Sequence, residues 1–210
     1  MRIFIGFSAF VIWWMAFSAY RRHSANRKRV KSIEAFLEEE REANESRKKE
    51  IEPEYRYEPD LTLLPELSGD SKQEENVKKF AGRKMLRFPK RYTNIELKKA
   101  YGPSQLEDIA RCEENFNSYV LSLIEWAELC ADTGRQTDAV AITEHAISLG
   151  SEYRKGYRLI ARLYLERGEE GKLDSLIKEV DGKNFADEGA KRLALKAIMD
   201  AKCGIGGGGE

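Results

Sequence analysis

The stretch LIEWAELCADTGRQTDAVAITEHAI, from Leu123 to Ile147, decides the fold, because a related stretch follows it in the chain. The second stretch, YRLIARLYLERGEEGKLDSLIKEV, begins at Tyr157. The turn glycines of the two stretches, Gly134 and Gly168, are 34 residues apart. Each stretch reads as an apolar-periodic helix, a short turn and a second apolar-periodic helix. The sequence therefore predicts a helix–turn–helix unit that occurs twice at a fixed period.

Small residues recur at the same interval, since Ala127 and Ala161 occupy the place where the two helices of a hairpin cross closely. A helix–turn–helix period of 34 residues is typical of tetratricopeptide arrays, and the chain resembles that family over repeats at about 120–153 and 154–187. The resemblance implies an all-α domain that binds a peptide or a partner protein. The residues that carry it are Ala127, Gly134, Ala139, Ala146 and Ile147, and more loosely Tyr157, Ala161, Tyr164 and Gly168.

The second unit departs from the family pattern. Leu173 and Val180 stand where the family usually has small residues, and Ser151 stands where it often has proline. The alternative is a generic antiparallel helical bundle in which the repeated interval is a coincidence. We interpret the pattern as a repeat, because two positions recur at the same interval in the same local context.

Ligands of the tetratricopeptide family commonly lie along the first helices of successive units. Arg158 and Arg162 share one helix face, and paired guanidinium groups can hold the carboxylates of an acidic peptide. Glu128 stands where an uncharged residue is expected, so these arginines could instead pair with Glu128, Glu166 or Glu169 on a solvated surface. The predicted peptide-binding residues are Leu121, Ile124, Glu128, Lys155, Arg158 and Arg162.

The composition and the scarcity of reactive residues argue against several classes of function. The chain has no formal net charge, which disfavours nucleic-acid binding. Cys112, Cys130 and Cys203 are widely spaced and predict reduced thiols, and His23 and His145 have no metal-ligand spacing to other residues. We therefore expect no enzyme activity, no cofactor, no metal site and no small-molecule substrate.

An uncharged run from Ile3 to Tyr20 precedes six basic residues between Arg21 and Lys31. Its length is close to that of a membrane-spanning helix, and the basic flank places the following residues in the cytoplasm. A cleaved signal peptide and a buried soluble helix are the alternatives. The sequence predicts a single-pass membrane protein with residues 1–21 as anchor, an outward amino terminus and a cytoplasmic carboxyl-terminal domain.

Residues 22–91 read as a connection between the anchor and the repeats. Residues 22–52 predict a charged juxtamembrane helix, whose apolar stripe is too short for a firm coiled coil and suits a solvated stalk. Residues 53–91 predict a flexible Pro-rich linker. The linker holds one apolar island, LTLLPEL at 61–67, which is either a docking segment or a less polar part of the linker.

Capping signals place the start of the folded domain, predicted at 92–201. Thr93 with Glu96, and Ser104 with Glu107, have capping-box spacing. They predict a short helix at 94–100 and a long helix or helix pair at 105–131. Residues 186–201 predict a terminal amphipathic helix, and the glycine-rich residues 202–210 predict a disordered tail.

These patterns favour a membrane-anchored adaptor for protein–protein interaction, in which the short repeat domain binds a peptide or a partner protein. The alternative is an accessory subunit that packs permanently into a larger membrane complex and uses no separate peptide groove.

Overall fold

The computed structural model describes Trp14, Phe17, Arg21, residues 29–182, Phe185 and residues 188–204. In these ranges the chain is mainly helical, so the predicted all-α class is confirmed. Helix α1 covers residues 29–44. The remaining helices are α2 (Lys72–Ala81), α3 (Asn94–Tyr101), α4 (Leu106–Asp132), α5 (Gln136–Ser148), α6 (Arg154–Glu166), α7 (Glu170–Gly182) and α8 (Glu188–Lys202). Short 3-10 helices lie at Pro53–Tyr55, Leu61–Leu63 and Pro103–Gln105.

Two short strands, β1 (Arg56–Tyr57) and β2 (Met85–Leu86), pair in an antiparallel ladder with Tyr57 opposite Met85. The described residues divide into two compact units. The first contains α1 and α3, and the second contains the strands, α2, α5 to α8 and nearly all of α4. The second unit therefore combines residues 51–91 with residues 107 onward, and it includes the residues of both predicted repeats.

In the first unit, α1 packs against α3. Glu39 accepts a hydrogen bond from the Lys99 ammonium at 2.8 Å, and Glu40 contacts Lys98. Ala43 is fully buried. The carboxyl-terminal half of the predicted solvated stalk therefore packs against another helix, α3. The apolar stripe near its start stays exposed, at Val30, Ile33, Phe36 and Leu37.

The predicted helix boundaries agree closely with the structure. Thr93 and Glu96 form a reciprocal capping box, in which the Thr93 hydroxyl accepts from the Glu96 amide at 3.2 Å and the Glu96 carboxylate accepts from the Thr93 amide at 2.7 Å. This cap satisfies two backbone donors at the start of α3. The long helix α4 and the terminal helix α8 also lie within two residues of their predicted bounds.

The segment 53–91 is ordered, which corrects the prediction of a flexible linker. Ser71 caps α2 by accepting from the Glu74 amide at 3.2 Å. Leu64, Val77 and Met85 are at most 8% exposed and belong to the same apolar core as the repeat helices. Burial of these side chains stabilises the ordered segment, so its prolines mark turns between short elements. The predicted domain start at residue 92 consequently cuts through the second unit.

The two repeat turns have the same hydrogen bonds. Gly134 and Gly168 both adopt positive φ, at 80° and 69°, where a residue with a Cβ is disfavoured. The next amide reaches back to the preceding helix in each case, from Arg135 to the Cys130 carbonyl at 2.8 Å and from Glu169 to the Tyr164 carbonyl at 2.8 Å. This pattern is a Schellman motif, and its two copies are separated by the sequence period of 34 residues.

The small residues of the repeat lie in the core. Ala127 and Ala161 are fully buried, one on α4 and the other on α6. Helix α6 packs against α5, α7 and α8, and α8 also packs against α7. Leu173 and Val180, which depart from the family pattern, are buried on α7. The second hairpin is therefore closed by larger side chains and by the terminal helix.

The apolar run at 3–20 lies outside the described residues, apart from Trp14 and Phe17. Within the part of the chain that is described, no helix has the length and apolar character needed to cross a bilayer. This finding contradicts the predicted single-pass membrane localisation, with its outward amino terminus and cytoplasmic domain. The described helices carry charged residues at short intervals, as in the run Glu38–Glu40 of α1, and such residues are costly in hydrocarbon.

Candidate functional site

The six predicted peptide-binding residues lie on two helices of the second unit, three on α4 and three on α6. Ile124 is fully buried. Its Cδ1 atom lies only 3.1 Å from the place where a Cβ of Gly156 would be, so α4 and α6 approach closely there. Ile124 therefore belongs to the core between these helices, which corrects its assignment as a ligand contact. Leu121 is half-buried.

The charged members of the predicted set are partly paired. Lys155 forms an ion pair with Glu128 at 2.5 Å, and Arg162 lies 3.7 Å from Glu166 on its own helix. Arg158 is exposed and makes no side-chain ion pair with any described residue. The sequence left open whether glutamates neutralise the basic residues of this set. In the structure Glu128 pairs with Lys155 and Glu166 pairs with Arg162. No carboxylate of the described residues pairs with Arg158.

A concave surface beside the Glu128–Lys155 ion pair encloses a volume of about 410 Å³. Helix α4 contributes Glu125, Glu128 and Asp132, and α2 contributes Lys72 on the opposite side. The α4 side of this surface is therefore acidic, whereas the exposed face of α6 is basic. A ligand that extends along both helices would meet both signs of charge.

Helix α2 is held beside α4 by a buried carboxylate that the sequence analysis did not single out. Glu74 is 1% exposed and accepts from the Trp126 indole at 3.1 Å, from the Gly69 amide at 2.6 Å and from the Ser68 hydroxyl at 3.0 Å. Arg135 lies 3.6 Å away. The Ser71–Glu74 spacing, typical of a capping box, was the sequence signal that could have located this helix.

The electrostatics of Glu74 combine opposing effects. Burial raises the pKa of Glu74, but the hydrogen bonds from Gly69, Ser68 and Trp126, with the charge of Arg135, lower it further than burial raises it. The net pKa is below the ordinary value, so the carboxylate is ionised in the folded protein at neutral pH. Glu74 acts as a structural clamp between α2 and the first repeat.

A second cleft, of about 720 Å³, lies elsewhere in the second unit. One wall is the 86–91 strap, which we define as residues Leu86 to Arg91, directly after β2. The other walls come from α4, from the connection between α5 and α6, and from the start of α8. No sequence prediction included this cleft, although the run RFPKRY from Arg87 interleaves basic and aromatic residues.

Two tyrosine contacts fix the strap. The Arg87 amide donates to the Tyr55 carbonyl at 2.8 Å, and the Phe88 ring lies 5.1 Å from the Tyr55 ring. Arg91 pairs with Glu152 at 3.8 Å across the cleft. These contacts hold the basic side chains of the strap beside the junction of the two repeats.

Burial affects the pKa of a cysteine and of a histidine in the second unit. The three cysteines are free thiols, and Cys130 is buried on α4, where burial raises its pKa. Burial also lowers the pKa of His145 on α5, despite the opposing charge of Asp60. No cluster of metal-ligating side chains occurs within the described ranges.

Comparison with known proteins adds no relative. No family model matches the chain, and no curated protein or solved structure matches it either.

Proposed function

We propose that this chain is a protein-interaction adaptor whose second unit is a short tetratricopeptide-like array. The observation that carries the proposal is the pair of Schellman turns at Gly134 and Gly168, which occur at the sequence period with equivalent hydrogen bonds. Ala127 and Ala161 are buried at equivalent positions in the two hairpins. Arrays of this kind present the first helices of successive units to a partner.

The proposed partner contact is the face of α4 and α6 that includes Leu121, Glu128, Lys155, Arg158 and Arg162. Arg158 supports this choice because it is exposed and has no side-chain ion pair among the described residues. A surface guanidinium of this kind is available for a partner carboxylate.

A pull-down with the full chain as bait tests the proposal. The parent is compared with Arg158→Glu/Arg162→Glu, after circular dichroism has shown equal helicity. We expect the double variant to lose partners that the parent retains. A matched control, Lys178→Glu/Lys196→Glu, makes the same change in net charge at exposed residues of α7 and α8 and should retain them. An identical partner set for both double variants would remove this face as the binding site.

The ion pair between Glu128 and Lys155 favours a second candidate function, an accessory subunit that uses no peptide groove. A permanent subunit should aggregate when it is expressed alone, whereas an adaptor should elute as a single species in size-exclusion chromatography. A monodisperse chain would favour the adaptor.

A further inference from the structure

The cleft beside the 86–91 strap has the dimensions and the lining of a binding site. Its volume of about 720 Å³ is in the usual range for clefts that hold ligands. It lies entirely within the second unit, and four separate segments of the chain form its walls. None of the six residues predicted from the sequence lines it.

The floor of the cleft is apolar and preformed. Phe116, Val120, Leu149 and Tyr153 contribute to it. Val120 and Leu149 are held in the core at 2% and 7% exposure, and the Phe116 ring packs edge-on against Tyr57 at 5.2 Å. Because these side chains are already ordered, a ligand would lose little free energy in arranging them.

One wall of the cleft carries a basic residue that pairs with no carboxylate in the described ranges. The Arg87 side chain is exposed and forms no ion pair with a described residue. Its Nη2 atom lies close to the backbone of Gly150, where an added Cβ would be 3.5 Å away. The guanidinium is therefore positioned at the end of α5, directed toward the junction of the repeats.

The charges around the cleft are unequal. The strap supplies Arg87, Lys90 and Arg91, whereas the opposite walls supply Glu113 and Glu152. Glu152 is paired with Arg91, and burial raises the pKa of Glu113, although Arg91 opposes that effect. Arg87 is therefore a cation of the strap that forms no ion pair with a described carboxylate. Two carboxylates on the walls would repel a densely charged nucleic acid, but they leave room for a single carboxylate at Arg87.

We propose that this cleft binds an acidic peptide segment of a partner protein, with an aromatic or aliphatic side chain on the apolar floor and a carboxylate on Arg87. A planar guanidinium binds a carboxylate through two parallel hydrogen bonds, and the apolar anchor contributes by leaving water. The inference rests on the proposed adaptor function, and it names the chemistry of the partner at a different surface.

Fluorescence anisotropy with the full chain tests the inference. The probes are fluorescein-labelled synthetic peptides of Asp and Glu around one central residue, which is Phe, Leu or Ser. We expect the Phe and Leu peptides to bind and the Ser peptide to bind more weakly. Arg87→Glu should weaken binding by at least about tenfold, because it removes a charged hydrogen bond and adds a like charge.

Two further variants test whether the peptides bind in the cleft. Lys178→Glu makes the same charge change at an exposed position of α7 and should bind like the parent. Arg158→Glu/Arg162→Glu is measured beside it, because loss of binding in that variant alone would place the peptides on the face of α4 and α6 and outside the cleft. All variants are first checked for equal helicity by circular dichroism.

Several results would overturn the inference. One is the absence of binding by every acidic peptide, and another is equal binding of peptides in which Lys replaces Asp and Glu. A third is that Arg158→Glu/Arg162→Glu loses binding whereas Arg87→Glu binds the peptides like the parent. That third result would be compatible with the adaptor function and would place the acidic peptide on the face of α4 and α6. Failure of the adaptor function itself would be seen in the pull-down.

Discussion

At the scale of the residue, Glu74 accounts for the position of α2. Its carboxylate accepts from Trp126, Gly69 and Ser68 while it is almost fully buried. A buried charge is tolerated when it is fully hydrogen-bonded and costly when a partner is missing. The contribution of Glu74 is therefore measured best by changes that keep its size.

Glu74→Gln is expected to lower the free energy of unfolding by about 1–3 kcal/mol, because at least one buried donor loses its acceptor. Chemical denaturation monitored by circular dichroism measures the change. Glu75→Gln is the matched control, since Glu75 is the exposed neighbour on the same helix, and it should change stability little. Equal stability of the two variants would show that the Glu74 contacts do not hold α2 in place.

The same carboxylate predicts a dependence of stability on pH. The folded pKa of Glu74 is lower than its unfolded value, so its contribution is complete above the unfolded pKa of about 4.3. It is lost as the pH falls through the folded pKa. The stability difference between the parent and Glu74→Gln should therefore be constant from neutral pH to about pH 5 and shrink under more acidic conditions. A difference that grows on acidification would contradict the assigned direction.

At the scale of the element, the sequence predicted most of the helices but not the segment before them. The period of 34 residues and the cap at Thr93 located α3, α4 and the repeat hairpins, because capping and apolar periodicity are local signals. Ser71 and Glu74 have capping-box spacing that could have located helix α2, but its burial depends on Trp126, which is 52 residues from Glu74. The strap was missed because its cleft is completed by α4, α8 and the connection between α5 and α6.

The repeat turns give a prediction that separates conformation from packing. An added Cβ meets nothing within 4 Å at Gly134 or at Gly171, but only Gly134 has a positive φ. Gly134→Ala should therefore destabilise the protein by about 1–2 kcal/mol, whereas Gly171→Ala, within α7, should be neutral or stabilise it by up to about 1 kcal/mol. Thermal denaturation of both variants measures the effect. Similar shifts in the same direction would show that the turn geometry is misassigned.

Helix α6 packs against three other helices, α5, α7 and α8. Ala161→Trp overfills this buried position and should destabilise the protein by about 1–3 kcal/mol or more. Arg162→Trp places the same side chain at the next, exposed position and should have a small effect. Differential scanning calorimetry compares the two. A parental melting temperature for Ala161→Trp would show that the assigned repeat register is wrong.

At the scale of the whole molecule, the second unit consists of two separate parts of the chain, residues 51–91 and residues from 107 onward. Leu64, Val77 and Met85 join the core of the repeats from the first part. Each buried apolar side chain of this size contributes about 1.5–3 kcal/mol. Their sum is a large share of the 5–15 kcal/mol by which domains are typically stable.

A chain that begins at Ile51 should therefore unfold cooperatively, whereas one that begins at Tyr92 should be much less stable or partly unfolded. Urea denaturation of the two truncated proteins measures the difference. The comparison also tests the 86–91 strap, which only the longer protein contains. Equal stability of the two truncated proteins would show that residues 53–91 do not stabilise the fold and act as a linker.

Amide hydrogen exchange of the intact full-length protein tests most directly whether residues 51–91 and the helical repeats form one folded unit. The structure predicts that the amides in the last two turns of α2, including Val77, exchange as slowly as buried core amides such as that of Ile142 in α5, because both would open only with the unit as a whole. Exchange of the α2 amides at the rate of an unstructured peptide, while α5 and α6 remain protected, would contradict it.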